Sequence, residues 1–108
     1  MVETNHGAIP DDYLINYLKF LTGRVFKLLP MQEEKDDNLK KYMNSLQREL
    51  LGNKELIIEL RDDNEFLVLL GKLEYLINND VSDEIYRKDI LDCVNLIGKI
   101  KERYERGE

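Results

Sequence analysis

Apolar residues recur along the chain at alternating spacings of four and three, the pattern of helices that pack along a bundle. The first such seam is formed by Leu14, Leu18, Leu21, Val25 and Leu28. Pro10 suits the first turn of a helix, and Pro30 disfavours helical geometry at Leu29. The pattern therefore predicts a first helix from Pro10 to Leu29.

Three further segments show the same spacing. The second predicted helix runs from Met31 to Leu51 and is capped by Gly52, the third runs from the N-cap Asp62 to about Ile77, and the fourth begins at the N-cap Ser82. Their seams are, in order, Leu39, Met43, Leu46 and Leu50; Phe66, Leu69, Leu73 and Leu76; and Tyr86, Ile90, Cys93, Ile97, Ile100 and Tyr104. The third helix is apolar nearly all round, which predicts neighbours on several sides.

The remaining segments are short. Residues 53–60 suit one or two helical turns; the sequence Leu-Ile-Ile also suits a strand, but the chain offers no second convincing strand for pairing. Residues 1–9 show no periodicity and predict a flexible N-terminal arm. We therefore expect an all-α fold, an antiparallel bundle of four main helices plus a short helical segment, with residues 10–106 forming a single domain.

Helix one carries more aromatic residues than one core-facing stripe can bury. Tyr13, Tyr17 and Phe20 are spaced four and three apart, so they share a helical face that is offset by one position from the Leu14 seam. A central first helix could bury both faces within one subunit. We expect instead that these three residues form an interface with a protein partner or with a second copy, most simply in a homo-oligomer.

Composition narrows the function classes. The net charge is −6, and the excess acid lies in the second half of the chain, so phosphate is repelled at long range and nucleic acid is an unfavourable partner. The longest apolar run, Phe66 to Leu70, is too short to cross a membrane, and the first residues lack a signal-peptide pattern. We therefore expect a cytoplasmic protein with no membrane partner.

Cys93 is the only cysteine, which excludes an intramolecular disulfide, and its place on a seam predicts burial.

An acidic pattern supports an alternative function. Glu33, Glu34 and Asp37, followed by Glu59 and Asp62, have a spacing that resembles the paired acidic motif of the all-α, MazG-like nucleotide pyrophosphohydrolases. The resemblance covers these five positions and implies a Mg²⁺ site that acts on a nucleotide's phosphates. Helix electrostatics also favours acids in first turns and at caps. Our main expectation is therefore that the chain has no catalytic residues, no metal and no cofactor.

A DNA-binding regulator is a further alternative, because the second helix, the 53–60 segment and the third helix are consecutive and closely linked. The third helix offers only Lys72 and Asn78 for base contacts, beside Glu65 and Glu74. The leading expectation is therefore a small non-enzymatic interaction or regulatory module that self-associates through the aromatic face of helix one.

Overall fold

A computed structural model describes residues 2–4 and 6–106 of the chain. Its elements, in chain order, are β1 (Val2–Thr4), β2 (Gly7–Ile9), α1 (Asp11–Phe26), α2 (Leu28–Glu33), α3 (Leu39–Leu56), a 3₁₀ turn (Ile58–Leu60), α4 (Asn64–Asn78) and α5 (Asp83–Glu105). The four long helices α1, α3, α4 and α5 pack against each other, so the predicted all-α bundle is confirmed. The molecule measures 41 × 23 × 20 Å.

Contacts between side chains show that neighbouring helices run antiparallel. Tyr17, near the start of α1, reaches Asn53 near the end of α3, while Arg24 lies beside Tyr42 near the start of α3. Lys40 at the start of α3 donates to the carbonyl oxygens of the last turns of α4. These contacts, with those between α4 and α5, give an up-down-up-down bundle.

The predicted seams form the core. All five seam residues of α1 and α2 are at most 1% exposed, and every α5 seam residue from Tyr86 to Ile100 is buried. Helical spacing places these residues on one side of each helix, so the seams meet in the middle of the bundle. The core is therefore the part of the structure that periodicity predicts best.

The first predicted helix ends earlier than expected, at Phe26, because of Pro30. Proline has no N–H to donate to the carbonyl of the residue four positions before it, here Phe26, and its ring clashes with that carbonyl. Accordingly α1 ends at Phe26, and the chain continues as the short helix α2, which contains Pro30. Lys35 then takes a left-handed conformation, with φ of 53°, and turns the chain towards α3.

The second predicted helix was placed too early. α3 begins at Leu39 and continues through Gly52 to Leu56, so Gly52 is an exposed position inside the helix and not its cap. The predicted segment 53–60 is therefore the last turn of α3 followed by the 3₁₀ turn. Ile57, between the two, pairs with Thr4 in an isolated β-bridge.

The N-terminal stretch contains regular structure that the sequence did not predict. β1 and β2 pair antiparallel, with Val2 opposite Ile9, and Val2 is fully buried against the core. Gly7 adopts φ of 114° at the start of β2, a conformation that glycine allows. Met1 and Asn5 of the predicted arm lie outside the described residues.

The N-cap of α4 is Asp63 and not the predicted Asp62. The Asp63 side chain accepts a hydrogen bond from the backbone N–H of Phe66 at 3.0 Å, whereas Asp62 is exposed in the preceding turn. Asp63 also binds the guanidinium of Arg103 near the end of α5, and Glu65 lies 3.8 Å from the same guanidinium. One carboxylate therefore starts α4 and ties it to α5. The other predicted cap, Ser82 of α5, accepts from the backbone N–H of Ile85 and is confirmed.

Candidate interaction surface

The three aromatic residues predicted to form an interface have different environments. Tyr13 and Phe20 are 66% and 63% exposed, while Tyr17 between them is half-buried and packs against the core. The Tyr17 hydroxyl donates to Glu49 of α3 at 2.8 Å and accepts from the Asn53 amide at 2.8 Å. Tyr17 thus connects α1 to α3, and Tyr13 and Phe20 are mostly exposed on either side of it.

The link between α1 and α3 is a polar network. Arg24 donates to both carboxylate oxygens of Glu49 at 2.6 Å, and the same carboxylate receives the Tyr17 hydroxyl. The hydrogen bond from Arg24 lowers the pKa of Glu49, and burial together with the bond to Glu49 raises the pKa of Tyr17. Both shifts favour the ionised carboxylate and the neutral phenol, so the network holds one set of protonation states at neutral pH.

Cations stack on the aromatic rings of the same surface. The Arg24 guanidinium carbon lies 5.8 Å from the centroid of Phe20 and 5.9 Å from that of Tyr42, and the Lys27 ammonium lies 5.4 Å from the Tyr42 centroid. These distances are within the range of cation–π attraction. Phe20 is therefore held beside the Arg24–Glu49 pair while most of its ring faces solvent.

Two apolar hollows lie at the two ends of this surface. One, of about 350 Å³, lies between the β-hairpin, α1 and the end of α3, where Ile9, Tyr13, Tyr17 and Leu56 line it. The other, of about 320 Å³, is lined by Met31, Asn38, Lys41, Tyr42 and Ser45. Ser45 and Leu56 are eleven positions apart on α3, so the helical rise of 1.5 Å per residue separates the hollows by about 16 Å. We name this surface, from Tyr13 to Tyr42 with Tyr17, Phe20, Arg24, Glu49 and Asn53, the α1–α3 groove.

Exposed cations border one end of the α1–α3 groove. Lys27, which follows α1, and Lys41 of α3 are exposed, whereas Asp12 lies at the opposite end beside Tyr13. Glu49 is the acid inside the groove, and Arg24 already pairs with it. The hollow around Tyr42 therefore has one cation in its lining, Lys41, and a second, Lys27, over the Tyr42 ring.

The structure does not bring the five acids of the alternative metal site together. Glu33 ends α2 near Arg87 at 3.7 Å, whereas Glu59 accepts hydrogen bonds from the Tyr104 hydroxyl and the Glu3 backbone N–H. Arg87 and Tyr104 are seventeen positions apart on α5, so the two halves of the motif are separated by about 25 Å. Glu34 and Asp37 stay with Glu33, and Asp62 stays with Glu59, because each belongs to the turn at its own end of the bundle. Residues 2–4 and 6–106 contain no cluster of three His, Cys, Asp or Glu side chains with the geometry of a metal site.

The helix that would read DNA has an unfavourable exposed side. Lys72 of α4 lies 3.7 Å from Asp89 and 3.5 Å from Asp92 of α5, so its charge is directed along the bundle surface. The outward side of α4 carries Leu67, Val68 and Tyr75. Only Asn64 and Asn78, at the two ends of the helix, carry exposed amides that can read bases, and the outward positions Leu67, Val68 and Tyr75 between them are apolar or aromatic.

The sequence pattern indicates the aromatic face of α1 but was not used to predict the α3 residues that contact it. Tyr42, Glu49 and Asn53 fall at spacings of seven and four, one position away from the apolar seam of α3. Polar and aromatic residues bordering a seam at helical spacing are the signal that could have identified this face. The sequence alone does not show which neighbouring helix these residues contact.

No helix among the described residues combines the length and the apolar character needed to cross a membrane. Comparison of the chain with models of protein families, with curated proteins and with solved structures gives no match.

Proposed function

We propose that this protein is a small non-enzymatic interaction module that binds an amphipathic helix of a partner protein in the α1–α3 groove. The observation that carries the proposal is the exposure of Tyr13 and Phe20, which flank a polar network that is already complete without a partner. Such rigid aromatic side chains bury a large area at a small entropic cost, and they dominate the binding energy at many interfaces.

The shape of the groove favours a helix. One apolar hollow lies between α1 and the end of α3, and the other lies between α2 and the start of α3, about 16 Å away on the helical rise of α3. Apolar side chains eleven positions apart in a partner helix span the same distance on one face. A helix of about three turns therefore satisfies both hollows at once.

The charges at one end of the groove favour a partner helix that carries acidic residues at that end. Lys27 and Lys41 lie beside Tyr42 at this hollow, and Glu49, the carboxylate within the groove, is paired with Arg24. A partner helix with carboxylates at that end gains attraction, and a basic one is repelled. Because these cations are exposed, we expect the charges to act mainly on the association rate and on salt dependence.

Selection of peptides from a randomised helical library displayed on phage tests the proposal. We expect enrichment of peptides that carry apolar residues at the ends of one face and acidic residues near one of them. A synthetic copy of an enriched peptide should lose most of its affinity for the Phe20→Glu variant, because the substitution replaces an exposed aromatic ring of the groove with a carboxylate. Leu51→Glu is the matched control, since Leu51 is an exposed apolar residue of α3 outside the groove. Enriched peptides that bind wild type and Phe20→Glu equally would refute the assignment.

Self-association through the same aromatic face stays a prediction. In an isologous pair whose two-fold axis crosses the middle of the groove, the Lys27 and Lys41 end of one copy faces the Asp12 end of the other, so the charges of the groove do not distinguish a second copy from a partner helix. Light scattering on wild type and Phe20→Glu tests the self-association directly. Loss of a dimer in Phe20→Glu alone would identify the second copy, and not a partner helix, as the occupant.

A further inference from the structure

The two hollows of the α1–α3 groove are built differently. The one between the β-hairpin, α1 and the end of α3, which we name the hairpin hollow, has the buried side chains of Leu14 and Ile57 in its lining. The hollow around Tyr42 is lined by the buried Met31 and by three exposed polar residues. Side chains that belong to a close-packed core do not move aside easily, so the hairpin hollow has the more rigid floor.

One wall of the hairpin hollow is the β-hairpin itself. Val2 and Ile9 are opposite each other in the register, so their side chains lie on the same face of the hairpin. Val2 is fully buried in the core, while Ile9 is half-buried and lines the hollow together with Thr4. Residues two positions apart on a strand share a face, so the docking of Val2 also fixes the position of Thr4. The hollow therefore has its full shape only while the hairpin is docked.

The contacts that dock the hairpin are local. Beside the buried Val2, the Glu3 backbone N–H donates to the Glu59 carboxylate at 3.2 Å, and Thr4 pairs with Ile57 in an isolated β-bridge. A two-stranded hairpin is marginally stable in water without such docking. Undocking the hairpin leaves the four long helices packed and removes one wall of the hollow.

The lining of the hairpin hollow suits an aromatic ring. The rings of Tyr13 and Tyr17 line it from α1, and Leu56 lines it from α3. Aromatic rings that meet offset or edge to face gain attraction beyond that of the buried area. His6 and Asn53 bring polar groups to the same hollow, which suits a ring with one polar atom, such as indole or phenol. The volume of about 350 Å³ lies within the range of ligand pockets, roughly 300 to 1,000 Å³.

We propose that the hairpin hollow binds an aromatic ring, and that it does so only while the hairpin is docked. In the partner helix of the proposed function, on which this part of the inference rests, the ring is a tryptophan or tyrosine side chain. A ligand that binds only the docked state shifts the chain towards that state. Docking and binding therefore strengthen each other by the same factor.

Indole and cyclohexanol test the hollow without any partner helix. In amide nuclear magnetic resonance spectra, indole should shift the signals of residues that line the hollow, with saturation in the millimolar range. Ile9→Ser should raise the dissociation constant of indole about fivefold, because the variant removes apolar wall area. Ile85→Ser is the matched control, since Ile85 is an exposed isoleucine at the start of α5, and it should leave the dissociation constant unchanged. Cyclohexanol has no aromatic face and should bind about threefold more weakly than indole.

Hydrogen exchange of the unmodified chain tests the coupling. At an indole concentration ten times its dissociation constant, exchange of the hairpin amides should slow by about tenfold, because the docked state alone binds indole. Exchange of amides in the turn between α4 and α5 should not change, since that turn lies at the other end of the bundle.

The outcomes separate this proposal from the proposed function. Absence of indole shifts at the hollow, equal effects of Ile9→Ser and Ile85→Ser, or hairpin exchange that indole does not slow would each overturn the pocket and leave the Phe20-dependent binding of helical peptides intact. Equal binding of cyclohexanol would overturn the aromatic specificity. Indole binding that shows all the expected effects, in a chain for which no helical peptide is enriched, would confirm the pocket and refute the partner helix.

Discussion

Replacing Asp63 tests how strongly one buried carboxylate holds two helices together. Asp63 caps α4 through the Phe66 N–H and binds Arg103 of α5, and its side chain is 5% exposed. In Asp63→Ala, loss of the cap costs about 1 kcal/mol. Ser82, the N-cap of α5, provides the comparison, because it caps a helix without forming an ion pair.

The contribution of the ion pair lies between two limits. Exposed pairs contribute up to about 1 kcal/mol, and breaking a fully buried pair costs about 3 to 5 kcal/mol. Here the Arg103 side chain is 38% exposed, and Glu65 offers it a second carboxylate at 3.8 Å. Solvent and Glu65 compensate part of the loss, so we assign the pair about 1 to 2 kcal/mol. Asp63→Ala should therefore destabilise the fold by about 2 to 3 kcal/mol, and Ser82→Ala by about 1 kcal/mol.

Urea denaturation followed by circular dichroism measures this difference, provided that the slope of the free energy against urea is the same in both variants. Asp63→Asn adds a second comparison, because the amide keeps an oxygen for the cap but loses the charge. It should fall between wild type and Asp63→Ala. Equal destabilisation by Asp63→Ala and Ser82→Ala would show that the ion pair with Arg103 contributes nothing to stability.

Three further predictions concern the groove, the cysteine and the hairpin. Glu49→Gln should destabilise the fold at pH 7 by about 1 kcal/mol. Because the pKa of Glu49 is lowered in the folded chain, the difference from wild type is complete above the ordinary pKa of 4.5 and should shrink as the pH falls below that value in acid titrations of stability. Burial raises the pKa of Cys93 to about 12, so iodoacetamide should leave the native chain unmodified at pH 8, with modification only after denaturation; rapid native alkylation by mass spectrometry would contradict the burial. Val2→Ala should cost about 2 kcal/mol, since the Val2 side chain is fully buried; no change in the unfolding midpoint would show that the β-hairpin is not docked in solution.

The bundle and its core could be predicted from the sequence because both depend on local periodicity. A residue such as Ile97 recurs at helical spacing with its neighbours on α5, and the side of the helix that it occupies follows from geometry alone. The ends of the helices were less predictable. Gly52 resembles a C-cap, but nothing in the local sequence shows that packing carries α3 through it to Leu56.

Features that depend on distant contacts could not be predicted. The strands β1 and β2 have three residues each, too few to show an alternating pattern, and Val2 is buried by docking beside a turn more than fifty positions away. Asp62 and Asp63 are adjacent acids before the same helix, and only the position of Arg103 on α5 distinguishes the one that is buried. The single aromatic face expected on helix one is divided in the same way, because Glu49 and Asn53 hold Tyr17 against α3 while Tyr13 and Phe20 have no such partner in that network.

The three aromatic residues of that face differ in what they contribute to the stability of the fold. Tyr17 contributes to the fold through hydrogen bonds to α3, so its replacement acts on both. Tyr13 and Phe20 are about two-thirds exposed and contribute little to the core, so they can be changed with small effects on the unfolding free energy. Apolar area that does not stabilise the monomer has its largest energetic effect where another molecule covers it. The same reasoning applies to Leu67, Val68 and Tyr75 on α4, where the exposed residues lie outside a complete core. The bundle therefore carries exposed apolar side chains on α1 and α4 that its own folding does not require, and those of α1 are the ones that we propose a partner helix covers.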